Sequence, residues 1–446
     1  MPILAEDEQE KNRGRRVGES ANRVEQSNAT QSDQKARAGM RSTAESNSSD
    51  TRLLDDGELD EWCNELRHDS KLLDRVTEAM QRRGYVGDVR PPLIAYVALT
   101  SRLLARPLNL AFVAPSAAGK NAAVESALEL VPREAFYSFS AASPRALIYA
   151  TQSFRHLIVV FLEADSIPEV GPAASAIRSI ASDNRLVYQT VEKRDGRSET
   201  RIIEKEGPTG LMTTSTVSLG LQMSTRTLEI TISDDADQTR EVMRAQARRA
   251  NPTDDVDVDL KPFVAHQQWL EQRGERRVAI PFANALAELI PSDAVRMRRD
   301  FNQLLSAIKA LALLFQCQRE RTEEGWILAT LEDYERARWL LGPVFEAMAH
   351  EGLTPAVRET VEAIAIDECI SQAELARRLN VSSKGTVSWR VKRAIAHGWL
   401  ANAESRRGCP ARLTRGIELP DATTSLPSVE QVRVLFNANT GVREDD

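Results

Sequence analysis

The chain has 446 residues, enough for about three domains, and its 42% hydrophobic and 28% charged content suits a globular protein with a full-sized core. Its 58 Lys and Arg against 65 Asp and Glu give a formal net charge of −7. That balance excludes a protein that coats nucleic acid along its whole length, while leaving room for one basic region.

Residues 1–50 hold no aromatic residue and 12 apolar ones, too few to offset the entropy of ordering, so a disordered tail is predicted. In 51–88 the spacing of Leu59, Trp62 and Leu66, then Leu72, Leu73 and Val76, predicts short amphipathic helices. Pro91-Pro92 opens an apolar helix over 93–104. Strand-like runs follow at 108–116, 135–141, 156–165, 209–216 and 227–233, separated by segments of helical period. That alternation predicts an α/β layer fold with a mostly parallel sheet. Within it, 186–206 reads as a hairpin around Asp195-Gly196. After the acidic spacer 251–259 the chain turns helical, clearest at 301–315. A third unit spans 353–420, and 421–446 reads as a polar tail.

No apolar run approaches the ~20 residues of a membrane-spanning helix, and the N-terminus lacks the features of a signal peptide. Cys63, Cys317, Cys369 and Cys409 form no zinc spacing and no disulfide framework. A soluble, cytoplasmic protein with no membrane partner is expected.

The segment Ala114-Pro115-Ser116-Ala117-Ala118-Gly119-Lys120-Asn121-Ala122 follows a predicted strand and opens a predicted helix. A phosphate-binding loop needs that context, because main-chain N–H groups and a helix N-terminus must point at the phosphates while the Lys supplies a point charge. Two positions depart from the usual pattern: Ala114 stands for the first Gly, and Asn121 for the Ser or Thr that meets Mg²⁺. An apolar strand ending in acids comes ~40 residues later, with Glu163 and Asp165 present and Leu162 where an Asp usually stands. A plain small-residue turn with a solvated Lys120 remains the alternative reading of the loop.

Together these elements resemble the AAA+ ATPases, and among them the MCM-like helicases of bacterial mobile elements, often labelled phage-type primases. The likeness rests on FLEADS (161–166), the 186–206 hairpin, GLMTTST (210–216), MSTRTLEI (223–230) and RRDFNQLLSAIKALA (298–312), over roughly residues 90–350. It implies an AAA+ P-loop three-layer αβα domain over 89–352 with a helical lid at 261–350. It also implies a homo-oligomeric ring, a hexamer, with ATP and Mg²⁺ bound between subunits. Glu163 would be the catalytic base, and Ser215 or Thr216 the polar tip of the sensor strand. Arg226 would be the finger reaching a neighbour's γ-phosphate, and Arg299 would sense nucleotide from the lid. Asn121 and Asp165 would hold the metal in place of the missing ligands. The hairpin tip, with Lys193, Arg194 and Arg197, would meet single-stranded DNA in the pore. Over 186–206 as a whole, five basic residues balance five acidic ones, so a solvated surface hairpin stays open.

Residues 372–415 carry ten Lys or Arg and two acids, about +8 within a chain of −7. The order of predicted helix, helix, turn, helix, strand and basic loop resembles a winged helix-turn-helix. Ser383, Lys384, Thr386, Ser388, Arg390 and Arg393 would face duplex DNA, and Arg406 and Arg407 would lie on the wing. Val387, Val391, Ile395 and Trp399 read as core. A protein-binding winged helix is the alternative there.

The expected function is an ATP-dependent DNA helicase or helicase loader in mobile-element replication. The alternative is an ATP-binding, DNA-binding regulator with little or no hydrolysis. No GAFTGA-like loop marks a transcriptional activator, and no primase metal site is present in the sequence.

Overall fold

The computed structural model describes residues 54–114, 116, 118–139, 144–164, 171–194, 197–216, 223, 225–232, 236–250, 258–290, 297–349, 355–366, 368–381, 384–396, 398–404, 406, 410–419 and 426–441. The tail read at 1–50 lies outside them.

Three helices come first: α1 Asp56–His68, α2 Leu72–Arg82 and α3 Arg90–Ser101. The chain then alternates β1 Leu110–Val113, α4 Lys120–Leu128, β2 Phe136–Phe139, α5 Pro144–Tyr149, β3 Leu157–Phe161 and α6 Pro172–Asp183. Strands β4 Leu186–Arg194 and β5 Arg197–Lys205 precede β6 Thr209–Ser215, β7 Leu228–Thr231 and α7 Ala236–Arg249. The helical stretch holds α8 Lys261–Gln272, α9 Ala283–Leu289, α10 Met297–Leu314 and α11 Leu331–Ala349, with the short strands β8 Val278–Ala279 and β9 Ile327–Leu328. Last come α12 Pro355–Glu362, β10 Ile370–Ser371, α13 Gln372–Arg378, α14 Lys384–Ala396, β11 Leu400–Asn402, β12 Arg412–Arg415 and α15 Val429–Thr440.

Five strands form one sheet in the order β2-β3-β6-β1-β7, and every neighbouring pair is parallel. Side chains alternate between its faces. Ile158, Val160 and Met212 join one core, while Leu157, Val159, Phe161 and Leu211 join the other with Ile177 and Ile180 of α6. Helix α3 is buried from Pro91 to Ser101, as expected for a helix apolar on all sides. It packs on α4, α10 and α11. The predicted hairpin is a separate antiparallel pair, β4 with β5, closing at Arg194↔Arg197.

Two sequence boundaries do not coincide with breaks in packing. Leu66, Leu72, Val76 and Met80 belong to the same core as the sheet face and α8–α11, so the N-terminal helices are not a separate layer. Residues 421–446, read as a polar tail, contain α15, which starts at a capping box on Ser428 and Gln431. Leu426 and Val432 are buried in that same core, and Tyr334 Oη donates to the Pro427 carbonyl at 2.6 Å. The C-terminal unit between α11 and α15 has its own core, including Val361, Leu375, Val387, Trp399 and Leu413. Its three strands pair antiparallel in the order β10-β12-β11.

Helices α1 and α8 pack face to face. Between them His266, 1% exposed, stacks on Trp269, and its Nδ1 has no hydrogen-bond partner among the described residues. Burial first, then the Arg67 charge, lowers its pKa to about 3. Between the ordinary value near 6.5 and about 3, the unfolded chain takes up a proton that the folded chain refuses. This contribution is therefore complete above pH 6.5 and is lost as pH falls, at up to ~1.4 kcal/mol per pH unit. His266→Leu is expected to flatten the acid side of the stability profile, measured by urea unfolding from pH 7 to 4. An unchanged slope would assign the acid sensitivity elsewhere.

Candidate functional site

The chain leaves β1 towards β2 on one side of the sheet and leaves β6 towards β7 on the other. Adjacent parallel strands with oppositely directed crossovers open a crevice outside their carboxyl ends, where open α/β sheets bind ligands. Three segments meet at that edge.

The first is the loop after β1. Ala114 is buried, and its N–H donates to Ser215 O at 3.2 Å. Ser116 is exposed and Ala118 half-buried, whereas Pro115 and Ala117 lie outside the described residues. Gly119 caps α4 with φ +89° and ψ +9°. An added Cβ would meet nothing within 4 Å, so the position requires glycine for its left-handed backbone rather than for space. Lys120 opens α4 and is 8% exposed. Its charge thus sits at a helix N-terminus, where backbone N–H groups and the helix dipole favour an anion. Ala122 is exposed.

The second is the end of β3. Glu163 is exposed and has φ +66°, a left-handed conformation that costs a non-glycine residue about 1–3 kcal/mol and clusters at functional sites. Leu162 packs against the core beneath, and Asp165 lies outside the described residues. The third is the end of β6, with Ser215 buried and Thr216 exposed. Thr213 and Thr214, outside the expected site residues, lie on this same strand. The signal was available: hydroxyls crowd one end of a strand buried from Thr209 to Ser215.

A metal can be tested against these residues. Asn121 Oδ1 is buried and has no hydrogen-bond partner among the described residues, so it is an acceptor that a hard cation or its water would satisfy. No group of three or more His, Cys, Asp or Glu is placed to hold a metal among the described residues. Asn121 therefore fits Mg²⁺ as one ligand of a sparse protein set.

Arg226 and Arg299 are not brought to Lys120. They lie at the opposite edge, where the strands begin. Leu228 N–H donates to Asn109 O at 2.8 Å, and Asn109 N–H donates to Gln303 Oε1 at 3.0 Å. Beside these bonds Arg226 Nε donates to Ser182 Oγ at 2.6 Å, and Arg299 donates to the Thr225 carbonyl at 3.5 Å. Partial burial first, then the like charges of Arg299 and Arg178, lower the Arg226 pKa, with Asp183 opposing. Three guanidiniums thus share one patch beside the C-terminus of α6, where the helix dipole favours cations.

Of the predicted DNA contacts, the side chains of Lys193, Arg194, Arg197, Lys384 and Thr386 lie outside what is described, as do Ser383 and Arg407. Arg406 is exposed at 83%. Arg390 is 16% exposed and pairs with Glu359 at 3.4 Å, and Arg393 is half-buried. One core assignment is corrected. Ile395 is exposed, and Ala394 takes the buried place on the stripe with Val387 and Val391, because that stripe advances by four and then three residues. Lys392 points outward beside Ile395.

No helix among the described residues is long and apolar enough to cross a membrane. No protein-family model matches the chain, and no curated protein matches it. Among solved structures it is similar to the Aeropyrum pernix Orc1 protein in complex with DNA, at 12% identity, covering 79% of this chain and 92% of that one, with a TM-score of 0.25. It is also similar to NtrX from Brucella abortus in complex with ATP, at 13% identity, covering 56% of this chain and 53% of that one, with a TM-score of 0.26.

Proposed function

We propose that the chain is an ATP-binding AAA+ ATPase that works on DNA, as a helicase or helicase loader in mobile-element replication. One observation carries the reading. A left-handed Gly119, a buried Lys120, an Asn121 Oδ1 unsatisfied among the described residues and a strained Glu163 converge on the switch-point edge of one parallel sheet. In this reading the 114–122 loop cradles the phosphates, and Lys120 neutralises them. Asn121 and Asp165 would hold Mg²⁺, which would supply charge neutralisation for phosphoryl transfer. Glu163 takes the proton of the attacking water, and Thr216 lines the site. Helices α8–α11 form the lid.

The subunits would assemble as a ring, a hexamer. Arg226 and Arg299, at the far edge of their own sheet, would serve a neighbour's nucleotide. The hairpin tip would contact single-stranded DNA through Lys193, Arg194 and Arg197. The C-terminal unit would be a winged helix that meets duplex DNA through Arg406, Arg407, Lys384, Thr386, Arg390 and Arg393. Within it, residues 372–415 carry a surplus of about eight positive charges, which supports that partner. Arg390 would have to leave Glu359 to do so.

A second reading, a DNA-binding regulator that binds ATP and hardly hydrolyses it, is favoured by Leu162. That side chain packs into the core where a metal-binding carboxylate would otherwise stand. ATP turnover with and without single-stranded DNA separates the two readings. The helicase reading predicts turnover that DNA stimulates. ATP binding without turnover in either condition would establish the regulator.

A further inference from the structure

We propose that Thr214 is a positioning residue that holds Glu163 in its working conformation, an inference that rests on the reading of Glu163 as the base. The ladder between β3 and β6 ends at Phe161↔Thr213, yet β6 runs on to Ser215. Beyond that point the backbone of β6 is committed to the other side, through Phe112↔Thr214, Val113↔Ser215 and the bond from Ala114 N–H to Ser215 O. Side chains take over towards β3. Thr213 Oγ1 donates to the Phe161 carbonyl at 2.6 Å, and the Glu163 N–H donates to Thr214 Oγ1 at 3.0 Å.

This arrangement accounts for the left-handed Glu163. A strained φ persists only where its surroundings over-determine it, and here an N–H bond to a fixed hydroxyl meets that condition. Thr214 is 0% exposed, and a β-branched side chain in a strand has few rotamers, so its oxygen is a rigid anchor. Losing it would leave the Glu163 N–H without that acceptor and let the residue relax towards extended backbone, turning the carboxylate away from the crevice. Strand β6 would then still hold Ala114, so the phosphate loop would keep its place. Thr214 thus acts on the chemical step and not on nucleotide binding.

The test compares Thr214→Val, Thr214→Ala, Thr214→Ser and Glu163→Gln in the full chain, reading ATP turnover, KM and ATP affinity. Valine and alanine are expected to lower kcat about a hundredfold, the scale of a misplaced catalytic group. ATP affinity and KM should stay within about twofold, since an interaction made only in the transition state is lost. Serine, which keeps the hydroxyl, should restore most of the turnover. Retention of turnover by both valine and alanine would overturn the proposal, as would a serine variant as slow as valine. Turnover that survives Glu163→Gln would instead overturn the reading of Glu163 itself, whatever the threonine variants do.

Discussion

Lys120→Ala is expected to abolish ATP binding. Lys120 is the side-chain cation at the start of α4, 8% exposed and adjacent to the left-handed Gly119. A buried ammonium bonded to phosphate oxygens makes charge-assisted hydrogen bonds of ~1.5–3 kcal/mol each. Losing two such bonds weakens affinity by at least about a hundredfold. Lys120→Arg should recover little, because a planar fork does not fill the place of a compact point charge. A fluorescent-nucleotide titration, with thermal melting to confirm folding, checks both variants. Unchanged affinity in the alanine variant would remove the phosphates from this loop.

Arg226→Ala is expected to bind ATP as the native chain does and yet lose turnover by about 10³-fold or more, the scale seen when an arginine finger is removed. The separation of Arg226 from Lys120 by the length of the sheet is what makes the two functions divisible. Arg226 lies two residues before β7, whose first residue Leu228 bonds to Asn109, whereas Lys120 follows the end of β1. In the proposed ring, a finger so placed would serve a second copy of the chain. Two inactive variants, Arg226→Ala and Lys120→Ala, should therefore regain turnover when mixed, because the Lys120 variant still supplies Arg226 to a partner that still binds ATP. A mixture that stays inactive, with an Arg226 variant that has also lost ATP affinity, would assign Arg226 to the folding of its own sheet edge.

The parallel sheet was legible because its strands are short apolar runs separated by helical segments, and buried strands leave that trace without help from tertiary structure. The hairpin was legible from Asp195-Gly196 between two β-rich arms. Spacing alone placed Gly119 and Lys120 at a strand-to-helix turn. What stayed hidden depends on contacts far apart in the chain. Helix α15 does carry a local sign, the Ser428–Gln431 capping-box spacing ahead of Val432, Leu435 and Phe436, but the burial of Leu426 and Val432 depends on contacts with the distant helices α9 and α11. Arg226 and Arg299 are 73 positions apart in the sequence, and their shared patch follows from the packing of α10 against the strand starts. Arg390 was read as facing outward, but its pairing with Glu359 required knowing that α12 lies alongside α14. The role of Thr214 rests on a hydrogen bond across 51 positions, beyond the reach of any periodicity. Hydroxyls at the tip of a buried strand were the one visible sign of it.

The most direct measurement of the central claim is a calorimetric titration of the full chain with ATP, in Mg²⁺ and then in excess chelator. The account predicts saturable binding of one nucleotide per chain, tighter with Mg²⁺ because Asn121 Oδ1 would accept the ion or its water. Absence of saturable heat in either condition, from protein that melts cooperatively, would contradict it.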